Sequence, residues 1–200
     1  MELENIVLDP QRTMVLAIDV LKDFLKSANG FAFYDAKTDL RSMQWKVIDG
    51  IIPLLLRSGA AHITLIKSQY ELGKFPPPYD KLCSAAPGTD FYLIDGIVPS
   101  AKIFTKFEHD PFSNPELVPY IEKKDIMDIV LVGFTLTNCI NVAAQSALKK
   151  SNLRVIIPEN CVGYRNEREA DAARILEEYK LHERIVVLGS QRNIQYGNLP

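Results

Sequence analysis

The chain has 200 residues, 47% of them hydrophobic and 24% charged, with a formal net charge of −2 at pH 7. That balance suits a single globular domain over residues 1–200 with a full apolar core, and it excludes the basic surplus that recruits nucleic acid or an anionic membrane. Three cysteines without metal-ligand spacing exclude a disulfide framework and a zinc site.

No apolar run approaches the ~18 residues that mark a membrane-spanning helix. The opening Met1-Glu-Leu-Glu-Asn-Ile6 lacks the basic-then-apolar layout of a signal peptide, so a cytoplasmic location is expected. Residues 1–13 read as an irregular lead-in. Met14-Val-Leu-Ala-Ile18 is a short apolar run ending at Asp19, a buried strand that delivers a carboxylate at its carboxyl end. Val20 to Phe24 reads as a loop or a single helical turn. A helical pattern then runs from about Thr38 to Ser58, with apolar residues at Leu40, Met43, Val47, Ile51, Leu54 and Leu55. Pro53 is expected to kink it and Gly59 to stop it.

His62 to Ile66 is the next strand. Residues 68–100, rich in proline and aromatic residues, form a long connection of the kind that builds lids and binding loops. Ile103-Phe-Thr105 is a short strand delivering Lys106, and Pro115 to Lys123 a short helix. Leu153 to Ile157 and Ile185 to Leu188 are further strands. Between them Glu167 to Tyr179 is a helix with Ala172, Ile175, Leu176 and Tyr179 on one face. The tail from Gln191 reads as polar.

The stretch from Asp128 to Lys150 carries the strongest signal. Ile129-Val-Leu-Val132 is an uninterrupted aliphatic run, as in a strand buried on both faces. Gly133 ends it, and Ile140, Ala143, Ala144, Ala147 and Leu148 follow at helical spacing. Thr137 or Asn138 is the expected N-cap, which puts Cys139 in the first helical turn. Two readings fit that cysteine. It is a packing thiol, or it is a nucleophile whose thiolate is favoured by the helix end, with a pKa well below the free value of ~8.5.

Strands alternating with helices predict an α/β fold, a doubly wound parallel sheet with helices on both faces. Ligands bind such sheets outside the carboxyl ends of the strands. Asp19, Lys106 and Cys139 each follow a predicted strand at that end. Read alone, Asp19 also fits a helix cap and Lys106 a solvated charge.

At these residues the chain resembles the isochorismatase-like cysteine hydrolases. Asp19-Val-Leu-Lys-Asp23-Phe24 is similar to their Asp-x-Gln-x-Asp-Phe opening, and Lys106 with Phe112 and Leu117 to their lysine segment. Gly133-Phe-Thr-Leu-Thr-Asn-Cys139 is similar to their Gly-x-x-Thr-x-x-Cys motif, and Pro87-Gly-Thr89 and Glu159-Asn-Cys-Val162 also match. The resemblance spans about residues 14–190. It implies a three-layer fold and a catalytic triad of Asp19, Lys106 and Cys139. It also implies an oxyanion hole from the peptide N–H groups of Thr135 and Cys139, and a cis peptide between Phe134 and Thr135.

The implied activity is cysteine-dependent cleavage of a C–N bond in a small amide, carbamoyl or ureido substrate through a thioester. Alternatives are hydrolysis of an isochorismate-like vinyl ether, or a non-catalytic binding or scaffold role. Phe24, Tyr70, Phe112, Leu136 and Tyr164 are the expected pocket residues, and a homo-oligomer, dimer or tetramer, is expected from the family. Leu21 and Leu136 replace the family's glutamine and threonine, making a polar site edge apolar. The metal-binding Asp-x-His segment of nicotinamidases is absent from Lys67-Ser-Gln-Tyr-Glu-Leu-Gly73, and His62, His109 and His182 are scattered, so neither metal nor cofactor is expected.

Overall fold

The computed structural model describes residues 5–26, 39–58, 61–150 and 152–197. Its centre is a parallel sheet. Strands β2 (Thr13–Ile18) and β5 (Asp128–Phe134) lie side by side in the middle, fully buried along their length. Beyond β2 come β3 (His62–Ser68) and β4 (Lys102–Lys106), and beyond β5 come β6 (Arg154–Pro158) and β8 (Ile185–Leu188). The two-residue β7 (Val162–Gly163) adds to the end of β5. Strand order therefore reverses between β2 and β5, the switch point of a doubly wound fold, where the strand ends leave a crevice.

The side-chain period of two sorts each central strand between two cores. Val15, Ala17, Val130 and Val132 face one, with Met43, Val47, Ile51, Leu54 and Leu55 of the helical stretch Asp39–Arg57. Met14, Leu16, Ile18, Ile129 and Leu131 face the other. That second face is covered by α4 (Leu117–Lys123), α5 (Asn141–Lys150) and α6 (Glu169–Lys180). Ala143, Ala144 and Ala147 of α5 are fully buried, and their small side chains let the helix sit close to the sheet.

A short α1 (Lys22–Leu25) follows β2. The first long helix is interrupted: α2 (Asp39–Trp45) passes through a wide π-helical stretch, Lys46–Ile51, into α3 (Ile52–Arg57). The expected starting residue Thr38 and stop residue Gly59 lie outside the described residues. Pro53 begins α3 instead of kinking a continuous α-helix. Having no N–H, it cannot donate to the Asp49 carbonyl, which accepts from Gln191 Nε2 at 3.0 Å.

One expectation from sequence does not hold. The lead-in is not irregular over its described residues: β1 (Ile6–Leu8) pairs in parallel with β9 (Ile194–Tyr196) of the polar tail in a separate two-stranded sheet. Each partner is only three residues long, so neither shows a period, and the pairing joins residues far apart in sequence. The long connection does run from residue 69 to 101 without a helix or strand of its own. It is tied to the start of α1, where Asp23 and Lys22 N–H groups bond the Gly88 and Asp90 carbonyls at 3.0 and 2.9 Å. Among the described residues no helix is long and apolar enough to cross a membrane.

Candidate active site

The carboxyl ends of β2, β3, β4 and β5 converge on one buried polar cluster. Asp19 follows β2 with φ of 56°, a left-handed conformation that aspartate tolerates better than most residues. Its N–H bonds the Ile66 carbonyl at 3.0 Å, and its Oδ1 accepts the Ser68 N–H at 3.0 Å, so the neighbouring strand fixes both backbone and carboxylate. Lys106 closes β4 at the sheet edge, in register with Ser68. Only a long side chain reaches from there across the end of β3. Its Nζ lies 2.8 Å from Asp19 Oδ2, with both side chains fully buried. The same ammonium donates to Ser68 Oγ at 2.6 Å and to the Tyr70 hydroxyl at 3.1 Å.

Cys139 enters from β5. Thr135, not Thr137 or Asn138, caps the helix, because the chain leaves the strand through a wide π-helical turn, Leu136–Ile140. The Asn138 and Ile140 N–H groups both bond the Thr135 carbonyl, at 3.1 Å each. The peptide between Phe134 and Thr135 is cis. This turn aims Cys139 Sγ at the cluster, 3.4 Å from Lys106 Nζ, 3.6 Å from His109 Nδ1 and 3.9 Å from the Tyr70 hydroxyl.

Above the sulfur opens a cleft of about 250 Å³. Phe24, Tyr70, Phe75, Tyr79 and Leu82 line it, with Tyr70 and Phe75 edge-to-face at 5.0 Å. His109, Thr135, Thr137 and Asn138 also line it, as do Arg165, Glu167 and Arg168. Arg165 lies 5.1 Å over the Tyr79 ring and pairs with Glu167.

The protonation states follow from burial and charge. Burial pushes the Cys139 thiol up to about 12; Lys106 pulls it down, but Asp19 adds to the rise by its charge and by accepting a hydrogen bond. The expected lowering by lysine and helix end is therefore reversed, because burial of this residue, 3% exposed, outweighs the lysine. Burial alone would lower the Lys106 pKa, but Asp19, Cys139 and Tyr70 outweigh it and hold it well above the usual value. Burial and the Lys106 charge lower the His109 pKa, which leaves its imidazole neutral at pH 7. The resting site is thus an ion pair beside a neutral thiol and a neutral imidazole. At pH 7 iodoacetamide is expected to modify Cys139 more slowly than free cysteine, yet ahead of Cys83 and Cys161, which are fully buried and off the cleft. Peptide mapping by mass spectrometry checks this: faster reaction than free cysteine would mean a resting thiolate, and modification of Cys83 or Cys161 first would mean Cys139 is inaccessible.

The model of the isochorismatase domain family matches residues 13–180 of the chain. The chain belongs to the isochorismatase-like hydrolase family. No curated protein matches its sequence. Solved structures share its fold at low identity. A cysteine hydrolase from Pseudomonas syringae pv. phaseolicola is 18% identical, with a TM-score of 0.70, covering 94% of this chain and 92% of its own. A nicotinamidase from Bacillus subtilis is 14% identical, with a TM-score of 0.67, covering 88% of this chain and 99% of its own. An N-carbamoylsarcosine amidase from Thermoplasma acidophilum is 15% identical, with a TM-score of 0.63, covering 88% and 95%.

Within this isochorismatase-like hydrolase the structure brings together Asp19, Lys106, Cys139 and Tyr70, and places Phe24 and Thr135 on the cleft. It does not bring Phe112, Leu136 or Tyr164 to the cleft lining. Phe112 and Leu136 are buried in the second core beneath α4 and α5. Tyr164 packs against that core and receives the Lys46 ammonium 5.9 Å from its ring centre. Leu21 is likewise no site edge: fully buried in the first core, it bridges to Phe91 of the long connection. The apolar replacements at Leu21 and Leu136 therefore fill cores and do not line the cleft. His109, Ser68 and Phe75 are the site residues that sequence reasoning missed. For His109 a signal existed, since it follows Lys106 by three residues in a segment already assigned to the strand end.

Ser68 and Tyr70, at and just after the end of β3, both hold the Lys106 ammonium. Among the described residues no group of three histidine, cysteine or acidic side chains is close enough to hold a metal ion.

Proposed function

We propose that this hydrolase cleaves the C–N bond of a small amide, carbamoyl or ureido compound, without a metal, through a thioester on Cys139. The observation that carries this reading is the fully buried Asp19–Lys106 ion pair with its ammonium 3.4 Å from Cys139 Sγ, at the floor of an apolar cleft. As Sγ attacks the carbonyl carbon, the thiol proton passes to the Asp19 carboxylate and the carbonyl oxygen becomes an oxyanion. The peptide N–H groups of Thr135 and Cys139 are assigned to that oxyanion. Collapse breaks the C–N bond, and the nitrogen leaves with the proton from Asp19. Lys106 keeps its charge throughout and stabilises the developing thiolate. A cleft of about 250 Å³ with aromatic walls suits a small substrate with an apolar portion.

The test is ammonia release from a panel of small amides, carbamoyl and ureido compounds. The parent protein is expected to release ammonia from at least one, and Cys139→Ala to lose that release while keeping its circular dichroism and melting temperature. A folded Cys139→Ala protein that still turns over would remove the thioester from the mechanism.

A further inference from the structure

Cys139 Sγ has a second titratable neighbour, a histidine ring nitrogen, that the triad does not use. Asp19 is wholly buried, held by Lys106 and the Ser68 N–H, and does not line the cleft. His109 Nδ1 lies 3.6 Å from the same sulfur, and its ring lines the cleft. The ring is held in place by aromatic contacts, 5.6 Å from Phe75 and 6.1 Å from Tyr70 between ring centres. Resting on the thioester reading above, we propose that His109 is a catalytic residue for the second half of the reaction, the base that activates water to hydrolyse the thioester.

The argument is one of access. Once Cys139 carries an acyl group, that group occupies the cleft and stands between incoming water and the buried carboxylate. Water reaching the thioester carbonyl arrives through the cleft, where His109 is the basic side chain lining it within reach of the sulfur. The water gives a proton to His109 as its oxygen bonds the carbonyl carbon. The C–S bond then breaks, and the imidazolium returns that proton to the departing Sγ. The acid product leaves, and the neutral thiol and neutral imidazole are restored.

A base must be unprotonated at working pH, and the groups around the ring arrange this. Lys106 at the end of β4 and Lys74 from the long connection oppose a positive imidazole, Asp19 and Glu108 favour one, and burial decides for the neutral form. Tyr70 and Cys139 face the ring as neutral groups at pH 7.

The experiment uses p-nitrophenyl acetate, whose acyl transfer to a thiol releases a coloured phenolate. The parent protein is expected to turn over continuously. His109→Gln is expected to release one equivalent and then slow at least about a hundredfold, the usual scale for losing a positioned base. Intact-mass measurement should then find one acetyl group on Cys139. Continuous turnover by His109→Gln at the parent rate would overturn the proposal, as would absence of the first equivalent from a folded variant, which would place His109 in acylation. Should His109→Gln fail to fold, His109→Phe keeps the ring contact with Phe75 and carries the same two readings. Failure of the underlying reading looks different: the parent protein would then show no release that depends on Cys139.

Discussion

Asp19→Asn is expected to lower turnover by at least about a hundredfold and stability by about 3–5 kcal/mol. Both effects have one origin. The substitution removes the proposed proton acceptor from the thiol, and it leaves the Lys106 ammonium buried without its counter-charge. Asparagine is nearly the same size and tolerates the left-handed backbone at this position, so packing and conformation contribute little to the loss. Combining Asp19→Asn with Lys106→Met should recover most of the stability, since a buried pair replaced by apolar groups is often neutral, but none of the activity. Denaturant midpoints and ammonia release measured on the parent protein and these two variants check the claim. A single variant as stable as the parent would mean that Lys106 is not charged in the folded protein.

The pH dependence has a definite sign. The Lys106 pKa is raised on folding, so the stability it contributes is present below about pH 10.4 and is lost as pH rises through the folded value. The stability deficit of Asp19→Asn should therefore be widest near neutral pH and narrow in alkali. The three cysteines act in the same direction. Burial raises each thiol, to about 12 for Cys139 and Cys161 and well above the usual value for Cys83. Unfolding thus releases protons above about pH 8.5, and the parent protein loses stability from there upward.

Gly133→Ala is expected to cost at least about 3 kcal/mol, a fall in melting temperature of roughly 10 °C, and most of the activity. Gly133 pairs with Ile18 across the central strands, at φ of 113°. A Cβ there would lie 1.9 Å from the Ile18 carbonyl oxygen, which is backbone and has no rotamer by which to withdraw. The strands must part where β2 delivers Asp19 and β5 delivers the turn to Cys139, so those two side chains are separated along with them. Gly73→Ala is the control. It also has positive φ, 79°, but a Cβ there meets nothing within 4 Å. It should cost only the ~1–2 kcal/mol of a left-handed side-chain-bearing residue. Equal losses for the two variants would show that backbone conformation alone, and not the close approach of β2 and β5, accounts for the glycine.

Much of the architecture was legible because periodicity reports local burial. The unbroken runs at Met14–Ile18 and Ile129–Val132 mark strands covered on both faces, and both lie at the centre of the sheet. The stripe at Ala172, Ile175, Leu176 and Tyr179 faces the core of the second layer. Parallel strands bring their carboxyl ends to one edge, so a polar residue just after an apolar run is placed near the others by topology alone. That is how Asp19, Lys106 and Cys139 are brought to notice together without any contact being visible in the chain.

What only the tertiary structure decided are the quantities that depend on distant partners and on exclusion of water. β1 and β9 pair although nothing in either three-residue segment has a period to detect. Phe112 and Leu136 turn into the core although their motifs border the site, because a motif fixes position along the chain and not the direction of a side chain. His109 becomes part of the site because the chain after β4 folds back over the sulfur. The proton on Cys139 is the clearest case. Lysine and a helix end are visible in sequence and argue for a thiolate, whereas the desolvation that outweighs the lysine arises only when the cleft walls close around the sulfur.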